Sequence, residues 1–364
     1  ILFGYNRYSE FGNDTIAHLF FLIISSYFLK INFTEDIDAQ EFIKILILSL
    51  FCFMLKTGLI FVFFIPLYIL IFNFKKKYLL NYLNIFIIII TISWFAKNII
   101  VSGCLIYPVE ITCLEKLQWF TNDSNYLISA KAQSLDNEAW TKGWVNYNGS
   151  KVSQEYYVKE FFWLKTWFSI HGLLILKKLS IFIFILFIIN FYLKKIETSD
   201  NLIRIKLDKK IVFLFFLSLF CTLMWFLRFP IFRYGSSYIV VLIISISTIF
   251  AIKNRLIEKN IKKLTKYFTI LLIIFFTLFL LKHTLRIYKN YNHSLIGNPW
   301  PKFPKTKDTI SISEPNKIKD TFAYYLLRPN NDGCGYTLSP CTPFRVKNIK
   351  LKEMYGYKFY YLDN

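Results

Sequence analysis

Residues Ile211–Ile252 read IVFLFFLSLFCTLMWFLRFPIFRYGSSYIVVLIISISTIFAI, and this stretch decides the fold. Two apolar runs, Ile211–Leu227 and Ile239–Ile252, flank a short polar hinge, Arg228–Tyr238, that carries Arg228 and Arg233. Apolar runs of this kind cross a bilayer as helices, which puts the hinge at a membrane surface. A charged side chain at the edge of the hydrocarbon costs free energy unless it has a partner. Two guanidiniums there point to a bound anion such as a lipid-linked phosphate, whose oxygens match the planar fork of arginine.

The pattern repeats in both directions from the hinge. Candidate spans are Thr15–Phe33, Gly58–Phe74, Tyr78–Val101, Leu176–Leu193, Ile211–Leu227, Tyr238–Ile252 and Tyr267–Leu281. The run Phe42–Leu55 is short: roughly 14 residues at 1.5 Å each read as a thin span or a half-helix. With 55% hydrophobic and 20% aromatic residues in 364, the chain is too apolar for an ordinary soluble domain. The net charge of +21 does not indicate nucleic-acid binding, because the basic residues gather in short loops between apolar runs. The chain starts at Ile1 with no initiator Met, basic n-region or cleavage site, and reads as a fragment.

Three basic clusters set the orientation: Lys75 to Lys77, then Lys194, Lys195, Arg204, Lys206, Lys209 and Lys210, then Lys253, Arg255, Lys259, Lys262, Lys263 and Lys266. All three belong inside. If Phe42–Leu55 crosses, alternation leaves the N-terminus, Gly103–Trp167, the hinge and the tail from His283 outside. The domain reading is therefore transmembrane helices over 1–102, a periplasmic loop region over 103–167, further helices over 168–282 and a periplasmic C-terminal cap over 283–364. The expected fold class is an all-α polytopic membrane protein with a periplasmic loop domain and a small α+β cap.

Cys52 and Cys221 lie within apolar runs and read as small buried hydrophobes. Cys104 with Cys113 and Cys334 with Cys341 form two close pairs on the predicted outer face, where an oxidising compartment favours two local disulfides. Neither spacing is C-x-x-C and no His lies inside either pair, which weighs against zinc. In the outer loop, Glu155–His171 reads as an amphipathic helix lying on the membrane, with Phe161, Phe162, Leu164 and Trp167 as its apolar side. The tail is expected to hold strands at Thr309 and over Gly356–Leu362.

The candidate chemistry begins near the N-terminus. Glu10, Asp14 and His18 stand at steps of four with Arg7 three residues earlier, so a first helix that begins near Ser9 carries all four on one face. The functional reading is a catalytic carboxylate, either general base or metal ligand, with His18 oriented by Asp14 and Arg7 facing a phosphate. The bland reading is a helix cap and an interhelical histidine. Lys56 and Lys97 either join Arg228 and Arg233 in an electropositive cleft or snorkel to the interface. No P-loop, dinucleotide fingerprint or G-x-S-x-G is present, and the spans lack the matched breaks of a transporter. No cofactor signature is present either, although the carboxylates leave room for a divalent cation.

Four motifs together resemble a group of uncharacterised bacterial polytopic inner-membrane proteins of envelope-polysaccharide gene clusters, which are similar to GT-C class glycosyltransferases. They are SGCLIYPVEITC (Ser102–Cys113), EAWTKGW (Glu138–Trp144), RFPIFRYG (Arg228–Gly235) and CGYTLSPCTP (Cys334–Pro343). The resemblance implies a GT-C-like fold and transfer of a sugar from a polyprenyl-phosphate donor to a glycan or lipid acceptor at the periplasmic face of the inner membrane. GT-C members carry a catalytic Asp or Glu in the first outer loop, which in this reading lies upstream of Ile1. The chain also has Gly335 where the group has Trp after the first cysteine of that motif. Two other classes fit the same features: an O-antigen polymerase or ligase, and a non-enzymatic transporter or scaffold.

Overall fold

The computed structural model describes residues 14–33, 37–73, 75, 78, 81–117, 130–144, 152–195 and 208–253, scattered helical positions between 266 and 285, and five short strands between 316 and 362. The chain divides into two units, Ile1–Thr112 with Ser124–Tyr267, and Cys113–Asp123 with Phe268–Asn364.

The first unit has only helices as regular elements among its described residues. It opens with α1 (Asp14–Lys30) and α2 (Ala39–Leu55), followed by a 3₁₀ segment, Thr57–Phe63, that runs into α3 (Phe64–Phe72). Next come α4 (Leu83–Ser102) and two loop helices, α5 (Ala130–Thr141) and α6 (Gln154–Lys159). A short α7 (Trp163–Trp167) leads through a π turn, Phe168–Gly172, into α8 (Leu173–Lys195). The unit closes with α9 (Lys209–Arg228) and α10 (Phe232–Lys253).

Among the described residues four helices are long and apolar enough to cross a membrane: Leu83–Ser102, Trp163–Phe184, Lys209–Arg228 and Phe232–Phe250. The protein is thus a mostly helical membrane protein. The short run expected over Phe42–Leu55 is extended by a turn at its start, because Ala39, Gln40 and Glu41 join the helix. The hinge also contracts. Helix resumes at Phe232, so only Phe229, Pro230 and Ile231 separate α9 from α10. Gly235, Ser236 and Ser237 are polar or flexible enough to read as loop, yet they lie inside α10.

The core explains the arrangement. Helix α1 buries Ala17, His18, Phe21, Ile24, Ser25 and Phe28, an i, i+3, i+4 stripe that a helix needs in order to pack on neighbours. At mid-height Phe21 meets Tyr238 edge to face at 5.1 Å, and the Tyr238 hydroxyl donates to the Gly58 carbonyl at 2.9 Å. Farther along, Phe28 packs on Tyr68 and Phe213, which are themselves 4.4 Å apart. Cys52 and Cys221 are buried free thiols in this apolar interior.

Polar contacts label the two ends of the bundle. At one end Asp14, the first residue of α1, meets Lys56 just past α2 and Arg233 at the start of α10. At the other, Lys210 at the start of α9 donates to the carbonyls of Leu29 and Ile31, both at 2.7 Å, and so satisfies groups that the last turn of α1 leaves open. Helices α1 and α2 therefore run antiparallel, and Arg228 and Arg233 flank an elbow at the Asp14 end.

The loop after α4 begins at Gly103, whose φ of 73° is a left-handed conformation that glycine adopts without strain. Leu105 N–H donates to Thr112 at 2.9 Å, and the Thr112 hydroxyl donates back to Ile106 at 3.0 Å. Cys104 and Cys113 are both disulfide-bonded. Glu155–His171 is not one helix, for it breaks at Glu160–Phe162 between α6 and α7.

The second unit contains β1 (Asn316–Ile318) antiparallel to β2 (Thr321–Tyr325), with β3 (Cys341–Thr342) parallel to β2. A separate hairpin pairs β4 (Ile349–Met354) with β5 (Tyr357–Leu362), in register from Ile349 opposite Leu362 to Met354 opposite Tyr357. The strand expected over Gly356–Leu362 is β5. The one expected at Thr309 lies outside the described residues, as does Cys334.

Candidate functional site

The elbow between α9 and α10 is fixed by its neighbours. Helix α9 ends at Arg228, and Phe229 N–H still reaches the Trp225 carbonyl at 2.8 Å. Pro230 has no N–H to offer and its carbonyl accepts the Trp167 indole N–H. The next carbonyl, of Ile231, accepts the buried Trp225 indole N–H at 2.8 Å. Two indoles thus occupy carbonyls that a helix break would leave bare. Gly235 lets α10 pass close to Trp225, since a Cβ there would lie 2.5 Å from the indole ring.

Arg233 leaves this elbow towards Asp14. Its Nε lies 2.5 Å from Asp14 Oδ2, and Lys56 Nζ lies 2.6 Å from Oδ1. One carboxylate therefore sits between two cations. The Asp14 side chain is 12% exposed, Lys56 25% and Arg233 49%, so the cluster opens outward on the arginine side. Tyr234 lines the same place: Lys56 Nζ stands 3.7 Å from its ring centroid and the Arg233 guanidinium carbon 5.3 Å.

His18 lies one turn below Asp14 and is buried. Its Nε2 is 2.8 Å from the Arg233 carbonyl, which can only accept, so Nε2 carries the proton. Its Nδ1 then accepts from the Ser237 hydroxyl at 2.7 Å. Orientation of His18 by Asp14 was the expectation. The structure gives the imidazole these two partners on α10 instead, and both Asp14 oxygens are held by cations. His18 fixes the first turn of α10 against α1, which is a positioning role.

The second arginine joins a different cluster. Arg228 Nη1 is 3.1 Å from Glu138 Oε2, while Glu138 Oε1 is 2.6 Å from Lys142 Nζ. Arg228 is 66% exposed but the Lys142 side chain only 3%. Lys142 stands 4.8 Å from the Trp163 ring centroid, and burial pulls its ammonium below the usual lysine value, opposed by its bond to Glu138. Again one carboxylate serves two cations. Glu138 and Lys142 are not among the site residues expected from the sequence, although their i, i+4 spacing signals a pair. Tyr234 and Ser237 carried no signal beyond adjacency to Arg233.

Of the expected site residues, Asp14, His18, Lys56 and Arg233 come together, and Arg228 sits at the other side of the elbow. Lys97 does not join them: it is exposed near the end of α4, 5.9 Å from the Trp94 ring centroid. Arg7 and Glu10 lie outside the described residues. The described residues contain no group of three or more His, Cys, Asp or Glu placed to hold a metal ion. Asp14, with both oxygens on cations, does not fit a divalent cation as it stands.

Fold and site together define a polytopic membrane protein with a charged, outward-opening cluster at one end of its helix bundle. The chain belongs to a family described as a domain of unknown function, DUF8201, which matches residues 2–240. Asp14, Lys56, Glu138, Lys142, Arg228 and Arg233 all fall within that stretch. No curated protein and no solved structure matches the chain.

Proposed function

We propose that this protein is a membrane glycosyltransferase, similar in architecture to the GT-C class, that takes its sugar from a polyprenyl-phosphate carrier at the periplasmic face of a bacterial inner membrane. The observation that carries this reading is the Asp14 carboxylate between Lys56 and Arg233 at a membrane elbow, with Arg233 half exposed. A carboxylate beside an open cation supplies what an inverting transfer requires.

In the proposed step the acceptor hydroxyl oxygen attacks the anomeric carbon and the bond from that carbon to the phosphate oxygen breaks. The hydroxyl proton passes to Asp14, and the electron pair of the broken bond stays on the departing lipid phosphate. Arg233 faces that phosphate with its terminal amino groups while Nε holds Asp14, and Lys56 adds a second positive charge. Tyr234 offers its ring to both cations, and His18 sets the start of α10 so that Arg233 reaches Asp14. Arg228, on Glu138, is the further cation of this elbow.

The test is transfer from a polyprenyl-phosphate sugar by the purified chain in liposomes, with Asp14→Asn compared against the unsubstituted protein. Loss of a general base costs on the order of 10²–10⁴ in rate. Membrane expression of Asp14→Asn is read in parallel. Transfer unchanged by Asp14→Asn at normal expression removes the reading. Lost expression with normal transfer per molecule assigns the cluster to bundle stability, the role it has in a transporter or scaffold.

A further inference from the structure

The segment Gln154–Leu164 has two sides of opposite character. Tyr157 and Trp163 face inward, 0% and 1% exposed, and the Tyr157 hydroxyl donates to the Lys142 carbonyl at 3.0 Å. Tyr156, Phe161, Phe162 and Leu164 face outward, each between 40% and 55% exposed. The outward set is held there by the backbone. Ser153 caps α6 by accepting from Tyr156 N–H, and Phe161 takes φ 55°, a left-handed conformation that a non-glycine residue adopts only at a cost. That break points Phe161 and Phe162 out, where Phe162 packs on Tyr156 at 5.6 Å between ring centroids.

Two observations identify what covers this surface. The segment runs without interruption into Trp163–Phe184, one of the four helices long and apolar enough to cross the membrane, so its position is already at the bilayer boundary. Over Gln154–Lys165 the charges also cancel, Glu155 and Glu160 against Lys159 and Lys165, which leaves an apolar surface with no electrostatic preference for an acidic or basic partner. We propose that Tyr156, Phe161, Phe162 and Leu164 form a wedge inserted in the bilayer surface, which holds the elbow at headgroup depth. The link to the elbow is Trp167, three residues past Leu164, whose indole donates to Pro230. Resting on the proposed function, this depth gives the Asp14–Lys56–Arg233 site access to phosphates borne by lipids rather than to phosphate free in solution.

The experiment places spin labels on Tyr156→Cys, Phe161→Cys, Phe162→Cys and, as a solvent control on α5, Lys131→Cys in the full chain. The unsubstituted chain is carried through labelling as background. In liposomes of zwitterionic phosphatidylcholine alone, the three wedge labels are expected to be accessible to oxygen and shielded from a water-soluble nickel chelate, with Lys131→Cys reversed. Wedge labels that behave like Lys131→Cys overturn the insertion, and labels shielded from both reagents overturn it in favour of a protein partner. Binding of a polyprenyl phosphate is then measured in the same liposomes with inorganic phosphate as competitor. Competition by inorganic phosphate at equal concentration overturns the depth effect. Binding of neither, with the wedge labels inserted, removes the anion site of the proposed function and leaves the wedge standing.

Discussion

Arg233 and Arg228 look alike in the sequence but differ in what depends on them. Arg233 shares Asp14 with Lys56 and keeps half its side chain open. If that open side holds a phosphate, Arg233→Lys retains the charge and loses the fork. Loss of one charge-assisted contact in a partly desolvated site raises the barrier by about 3 kcal/mol, roughly a hundredfold in transfer rate, at unchanged expression. A normal rate in Arg233→Lys restricts the role of this side chain to its charge. Around Glu138 the asymmetry lies in burial. Arg228→Ala removes a largely exposed partner and costs about 1 kcal/mol or less. Glu138→Ala leaves the Lys142 ammonium buried without its carboxylate, and breaking such a pair costs about 3–5 kcal/mol. Thermal unfolding in detergent should therefore rank Glu138→Ala far below Arg228→Ala; equal midpoints contradict the buried pair.

At the scale of elements the elbow between α9 and α10 is the feature to perturb. Trp225 is pinned by its bond to Ile231 and packs flat against Gly235, so its ring has nowhere to move. Gly235→Ala overpacks the contact and is expected to cost about 1–3 kcal/mol. The measurement is the unfolding midpoint alongside transfer activity, and a midpoint equal to the unsubstituted protein rejects the close approach. The elbow also marks how far a sequence carries. Apolar run length alone located α9 and α10 to within a few residues at their outer ends, and charge against apolar background singled out Arg228 and Arg233. Their partners were not legible. Asp14 and Arg233 are brought together by parallel packing of α1 and α10, which no local pattern encodes, and the Trp167 indole reaches Pro230 across 63 residues of chain. The polar letters of Phe232–Tyr238 masked a helix because Gly235 and Ser237 are there for contacts with Trp225 and His18.

For the whole molecule, packing settles which groups share an end of the helical unit, and loop charge gives the expectation of which end faces the cytoplasm. The ion pairs of Asp14 put the start of α1, the end of α2 and the elbow together, and Lys210 on Leu29 and Ile31 puts the start of α9 at the opposite end. The start of α9 at that opposite end carries Lys209 and Lys210 of one basic cluster, and basic loops stay in the cytoplasm. Reporter fusions after Lys77, Lys210 and Lys266 are therefore expected to read cytoplasmic, and fusions between Asn122 and Lys151 or after Pro304 periplasmic. The outcomes separate two kinds of error. A uniform reversal keeps the packing but turns the Asp14–Lys56–Arg233 site to the cytoplasm, which removes a periplasmic donor and places the disulfide-bonded Cys104 and Cys113 in a reducing compartment. Opposite readings after Lys77 and Lys210 contradict the packing itself, because the end of α3 and the start of α9 then lie across the membrane from each other although Tyr68 and Phe213 touch.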